Sequence, residues 1–137
     1  MTRGDIYLAD LPQTSGSVQN GLRPVVVIQN DTGNTYSTTT IVACVTRKGK
    51  KPHQPTHISL DETHENVTGQ ILCEQLFTIA KSSLKKCIGK LNDSELAELN
   101  KAVSISLGLQ HIGEKLWNQL KLMEVRSLLQ QRLKWRI

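Results

Sequence analysis

A succession of short β-branched runs, each closed by turn residues, is what most limits the fold of this 137-residue chain. "PVVVIQ" (24–29) and "TTTIVACVT" (38–46) carry apolar residues at consecutive positions, the pattern of strands buried on both faces. "DIYLADL" (5–11) alternates through Ile6, Leu8 and, less cleanly, Leu11, and "THISL" (56–60) and "GQILCEQLFTI" (69–79) extend the series. The turns come from "TSGSVQNG", "NDTGNTYS", "KGKKPHQP" and "DETHEN". Strands this short at this spacing predict a small, strongly bent β-barrel or barrel-like sheet.

After residue 80 the period changes. "KSSLKKC" (81–87) fits one helical turn and "CIGKL" a brief return to strand. "LNDSELAELNKAVSISLGL" (91–109) has helical spacing through Leu96, Leu99, Val103 and Leu107. Asn92 or Asp93 caps it, with Glu95 and Glu98 near the positive end of the dipole. The expected class is therefore mainly β with α, one amphipathic helix packing on the sheet. Residues 110–137 read as a separate basic amphipathic helical extension, broken near Gly113, that docks on a partner or a second copy. The expected division is 1–109 and 110–137.

Charge follows this division. The net charge is +5, and residues 110–137 hold six Lys and Arg against two Glu, a balance of +4 that leaves +1 for the rest. Within the first part, "RKGKK" (47–51) gathers Arg47, Lys48, Lys50 and Lys51 with no acid, a cluster suited to a polyphosphate partner. No apolar run reaches the ~20 residues of a membrane span. The N-terminal segment, with Asp5 and Asp10, does not read as a signal peptide. Three cysteines without a CxxC pair (Cys44, Cys73, Cys87) read as reduced core thiols of a cytoplasmic protein.

The chemistry-bearing residues are few. The chain has no phosphate-cradling glycine loop, HExxH or G-x-S-x-G, and its histidines lack ligand spacing, so neither a metal nor a cofactor is expected. Arg23 stands out at the mouth of a buried strand. Pro24 drives it toward extended backbone, and Gly21 frees the chain before it. Thr46 ends another apolar strand and leads into the basic loop. If the two strand ends are neighbours, a fixed guanidinium, a hydroxyl and a cationic loop converge on one place, a cradle for a phosphodiester.

"RGDIYLADL", "GLRPVVVIQND", "TIVACVT", "PTHISL" and "ILCEQLFTI", in this order over residues 3–109, resemble the MazF/PemK family of toxin endoribonucleases. The resemblance implies an SH3-like barrel of the MazF/CcdB type with an added helix. It also implies a homodimer that cleaves single-stranded mRNA without metal and is neutralised by a cognate MazE-like antitoxin. The family's catalytic arginine falls on Arg23 and its catalytic threonine on Thr46. Gln75 matches a position lining the RNA groove, and Ser17 and Gln19 lie in the loop bordering the site. Two positions depart from the pattern: Val18 replaces a loop glutamate found in many members, and Leu72 an arginine found in some.

RNA can be cut by attack of its own 2′-hydroxyl on phosphorus, giving a 2′,3′-cyclic phosphate and a 5′-hydroxyl. Arg23 suits charge stabilisation because its planar fork grips two phosphate oxygens. Thr46 would hydrogen-bond the phosphate or the attacking hydroxyl. With Val18 in the loop the base stays open among water, a backbone carbonyl and Glu74, the candidate acid or base. Two alternatives remain: a CcdB-like toxin that cleaves nothing, and a weakened member that only binds RNA or antitoxin.

Overall fold

The β-branched runs assemble into one six-stranded antiparallel sheet, in the order β4-β5-β3-β2-β1-β6. The strands are β1 (Asp5–Leu11), β2 (Gly21–Val27), β3 (Thr39–Thr46), β4 (His57–Ser59), β5 (Gln70–Ala80) and β6 (Leu84–Lys90). Two helices accompany them, α1 (Asp31–Tyr36) and α2 (Asp93–Ser106). This computed structural model describes residues 1–12, 21–47, 54–109 and Gln119. Contacts divide the chain into two units, Met1–Ser106 and Leu107–Ile137. The expected tail helix lies outside the described residues apart from Gln119, which is helical. Among the described residues no helix is long and apolar enough to cross a membrane.

The expected class, mainly β with α, holds, while the hydrogen-bonded sheet stays open. Among the described residues its edges, β4 and β6, form no ladder with each other. The edges themselves supply the reason: β4 has three residues, and the pairing of β6 with β1 breaks register twice.

Alternation sorts the core into two clusters on opposite faces. Val25, Val27, Val42 and Cys44 join Ala9 and Leu11 on one face. Val26, Ala43 and Val45 face the other way, with Ile6, Ile71 and Leu99. Consecutive apolar residues in β2 and β3 thus serve two cores, as the sequence pattern predicts. In β1 the expected alternation shifts: Leu8 is half-buried, and Ala9 and Leu11 take the second face. Cys87 also departs from expectation, lying exposed on the edge strand β6 rather than in a core.

Helix α2 packs on β4 and β5 through Leu99 and Ala102, both buried, with Leu96 and Val103 beside them. Truncating a fully buried leucine such as Leu99 costs ~2–5 kcal/mol. Leu107, expected on this apolar face, lies beyond the last turn and is exposed. Asn92 supplies the cap: its Oδ1 accepts from Glu95 N at 2.8 Å while Glu95 Oε1 accepts from Asn92 N at 3.0 Å. This is a reciprocal capping box.

Two elements differ from the sequence reading. "NDTGNTYS", read as a turn, contains α1, where Asn30 caps by accepting from Gly33 N at 2.8 Å. The segment after β5 makes only a 3-10 turn (Lys81–Ser83), and β6 then runs seven residues rather than a brief return.

Candidate active site

The ladder between β2 and β3 runs toward Arg23 and Thr46 and ends two residues short of them. In β2 and β3, Val25 lies opposite Cys44, Val26 opposite Ala43 and Val27 opposite Val42. Continuing the antiparallel count two residues toward the rim sets Arg23 across from Thr46. Opposite residues of an antiparallel pair share a face, with Cβ atoms about 4.5–5.5 Å apart. Both side chains project on the face of Val25 and Cys44. The electrostatics agree: burial pushes the Cys44 thiol up to about 12, and the Arg23 charge pulls the other way.

Local structure fixes each of the two. Arg23 pairs with Ala9 of β1, so it is held in extended backbone from that side while its side chain stays exposed. Gly21, where β2 begins, has φ +74°, so the glycine supplies the left-handed turn into the strand. Thr46, half-buried, is the last residue of β3 and pairs with Gln70 of β5. The preceding Gly69 has φ +121°, and a Cβ there would stand 2.0 Å from the Thr46 carbonyl oxygen. The backbone of β5 therefore presses against the Thr46 peptide as only glycine allows.

The same register extends the row. Gln70 pairs with Thr46 on one side and with Ser59 of β4 on the other. Four polar residues, Arg23, Thr46, Gln70 and Ser59, thus cross β2, β3, β5 and β4 on one face. Gln70, buried beside Thr46, was missed by sequence reasoning. Its one signal is a polar residue opening an apolar run.

The remaining candidates divide. Arg47 follows Thr46 and is exposed at the same rim. Lys48, Lys50, Lys51, Ser17 and Gln19 lie outside the described residues. Glu74 and Gln75 sit on β5 four and five residues beyond Gln70, the partner of Thr46, or about 13 and 16 Å of extended chain. Glu74 is turned toward β4, where Oε1 pairs with His57 Nε2 at 2.7 Å and Oε2 accepts from Thr56 Oγ1 at 2.9 Å. Burial works to raise its pKa, but the hydrogen bonds from His57 and Thr56 hold the carboxyl below its ordinary value.

A cavity of about 460 Å³ lies elsewhere, between β4 and α2, with Pro55, Ile58, Ala102 and Ile105 in its walls. Neither Arg23 nor Thr46 lines it. We place the candidate site on the open rim, because a polymer backbone needs an open path past the reacting groups. Among the described residues no group of three His, Cys, Asp or Glu side chains is placed to hold a metal ion.

The family model of the PemK-like, MazF-like toxins of type II toxin–antitoxin systems matches residues 2–107. The chain belongs to that family. It is 47% identical over 114 residues to the endoribonuclease MazF of Staphylococcus saprophyticus, covering 82% of this chain and 95% of the relative. MazF of Deinococcus radiodurans shares the fold, with a TM-score of 0.69 at 20% identity over 79% of this chain and 96% of that one. So does a mycobacterial endoribonuclease solved with its cognate antitoxin, with a TM-score of 0.68 at 21% identity over 80% and 96%. Among these MazF-like folds, the open six-stranded sheet with a packed helix is the shared frame.

Proposed function

We propose that this MazF-like chain is a metal-independent endoribonuclease toxin that cuts single-stranded mRNA at specific sequences. A cognate MazE-like antitoxin neutralises it, and it acts as a homodimer in the cytoplasm. What supports the reading is the β2–β3 register, which, carried two residues past its last pair, Val25 and Cys44, would bring Arg23 across from Thr46. Family membership and the MazF relative supply the reaction class.

The chemistry needs little else. The ribose 2′-oxygen bonds to phosphorus and loses its proton to a base, while the bond from phosphorus to the 5′-oxygen breaks and that oxygen takes a proton. Charge builds on the non-bridging oxygens, where the Arg23 guanidinium donates two hydrogen bonds in a planar fork. Thr46 holds the phosphate or the attacking hydroxyl with its own. Groups held in place before RNA arrives stabilise that charge without reorganisation, and the paired backbone of each strand favours this. DNA lacks the nucleophile and is not a substrate. Arg47 and the loop cations Lys48, Lys50 and Lys51 draw in the polyanion, with Ser17, Gln19 and Gln75 bordering the bases. Residues 110–137 form a separate basic extension of the toxin domain.

Incubation of the purified protein with a long transcript in EDTA tests the reading. Wild type is expected to give discrete fragments with 5′-hydroxyl ends. Arg23→Ala loses about 10²–10³-fold in rate, the usual worth of one oxyanion donor. RNA left whole by wild type at high enzyme concentration would favour a binding toxin instead.

A further inference from the structure

Strand β5 separates from β3 at one place. Ala43 pairs with Leu76, yet the next residue, Cys44, pairs with Leu72. Cys73, Glu74 and Gln75 therefore have no opposite residue on β3. Bulges of this kind re-aim side chains and need support from elsewhere.

That support comes from β4. Cys73 N donates to Thr56 O at 2.9 Å, and Thr56 Oγ1 donates to Glu74 Oε2 at 2.9 Å. His57 Nε2 meets Glu74 Oε1 at 2.7 Å. His57 is only 7% exposed, and its Nδ1 is buried with no partner among the described residues. Among the described residues the bond to Glu74 is the ring's one side-chain hydrogen bond. Glu98 and Lys101 of α2 line the cavity that the ring also lines, so charged groups face it from the helix as well. One residue before Glu74, the Cys73 side chain is locked in the core. One residue after it, Gln75 is half-buried within the same bulge.

A base must lie within hydrogen-bond reach of the proton it removes. Both Glu74 oxygens already have partners, His57 at the start of β4 and Thr56 just before it, and these bonds hold the negative charge in place. We infer that Glu74 is a positioning residue: Thr56 and His57 clamp it, and through it they set Gln75 against the RNA. The inference rests on the endoribonuclease reading and adds His57 and Thr56 to its machinery.

The test is a double-mutant cycle of His57→Ala and Gln75→Ala on a long transcript. It reads kcat/KM and the base preference around the mapped 5′ ends, with thermal unfolding as the control for folding. His57→Ala and Gln75→Ala are each expected to lower kcat/KM by roughly 10- to 100-fold, about the worth of one hydrogen bond to a charged group. Both relax the base preference at the same position, and the double variant is no worse than Gln75→Ala. His57→Gln, whose amide still donates to Glu74, restores the wild-type preference. Additive losses, or a preference altered by Gln75→Ala and untouched by His57→Ala, overturn the clamp while leaving the nuclease intact. Wild-type protein that cuts nothing removes both readings, and the Arg23→Ala control separates the two failures.

Discussion

Glu95 is the residue whose loss the structure prices most directly. It is 4% exposed at the start of α2, yet it is a carboxylate. Its oxygens accept from Asn92 N at 3.0 Å, from Asp61 N at 2.9 Å and from His64 Nε2 at 2.8 Å. One side chain thus ties the helix cap to the loop between β4 and β5. A hydrogen bond to a charged group contributes about 1.5–3 kcal/mol, so three set an upper bound of roughly 4.5–9. Asn92 and Asp61 are exposed, so water re-satisfies their N–H groups when the carboxylate is gone. Counting those two bonds at about a third and adding ~0.5 kcal/mol for the helix dipole gives ~3–5.5 kcal/mol for Glu95→Ala. Glu95→Gln keeps the shape and one acceptor oxygen but turns an NH₂ toward a donor, and should lose about half as much. Urea unfolding at pH 7 and fixed protein concentration measures both, as midpoint shifts at constant slope. A loss below about 1 kcal/mol for Glu95→Ala, or equal losses for Ala and Gln, would refute this account of the node.

Two further outcomes follow from the ionisable groups. Glu74 and Glu95 both have depressed folded-state pKa values: burial raises them, and hydrogen bonds more than offset it. Their contribution is complete above the ordinary glutamate value of ~4.3 and is lost as pH falls through the lower folded values. Urea midpoints measured downward from pH 5 should therefore decline, less steeply in Glu95→Gln than in wild type, and parallel curves would contradict the assignment. Glu74 is two-fifths exposed and contributes the smaller share. The thiols should divide as well. Burial pushes Cys44 and Cys73 up to about 12, while Cys87 is exposed, so a disulfide reagent should titrate one thiol in the native protein and three in urea. Three fast-reacting native thiols would show that the core opens readily.

What could be read from the sequence was what local chemistry dictates. Strands β2 and β3 announce themselves because β-branched runs between turn residues have few other uses, and β1 and β5 by their apolar positions between turns. Arg23 and Thr46 stand out as candidates for a related reason, a proline and β-branched run after one and a basic loop after the other, although β2 begins at Gly21 and Pro24 lies inside it. Helix α1 was hidden because its six residues, "DTGNTY", share their composition with turns. Most of β6 was hidden because an edge strand turns Lys85, Lys86 and Cys87 outward and shows no apolar alternation. The carboxylate ties were out of reach altogether. Glu95 meets His64 across 31 residues of chain and Glu74 meets His57 across 17, with no motif joining either pair. Glu95 at the N-terminus of a helix looks like a surface acid favoured by the dipole, and only the fold shows it buried. The bulge in β5 is equally silent, since "CEQ" continues a strand pattern that the register then breaks.

The two kinds of feature have different mechanical settings, and the difference bears on how such a toxin can change. Arg23 is the third residue of β2 and Thr46 the last of β3, strands whose Val25, Val26, Val42 and Ala43 are fully buried between two cores. A shift of either strand by one residue would exchange the faces of all these side chains. Register is therefore held by core packing, and the backbone positions of Arg23 and Thr46 are held with it. Gln75 lies instead in a bulge of β5 that the three-residue edge strand and the Glu74 carboxylate help to support. In the proposed reading the reacting groups belong to the stiffest part of the molecule and the base-reading group to one of its most adjustable. Substitutions along β4 and in the bulge can then redirect which sequence is cut without disturbing how it is cut. Substitutions in β2 and β3 have no such freedom, because whatever moves the catalytic pair must first unpack both cores.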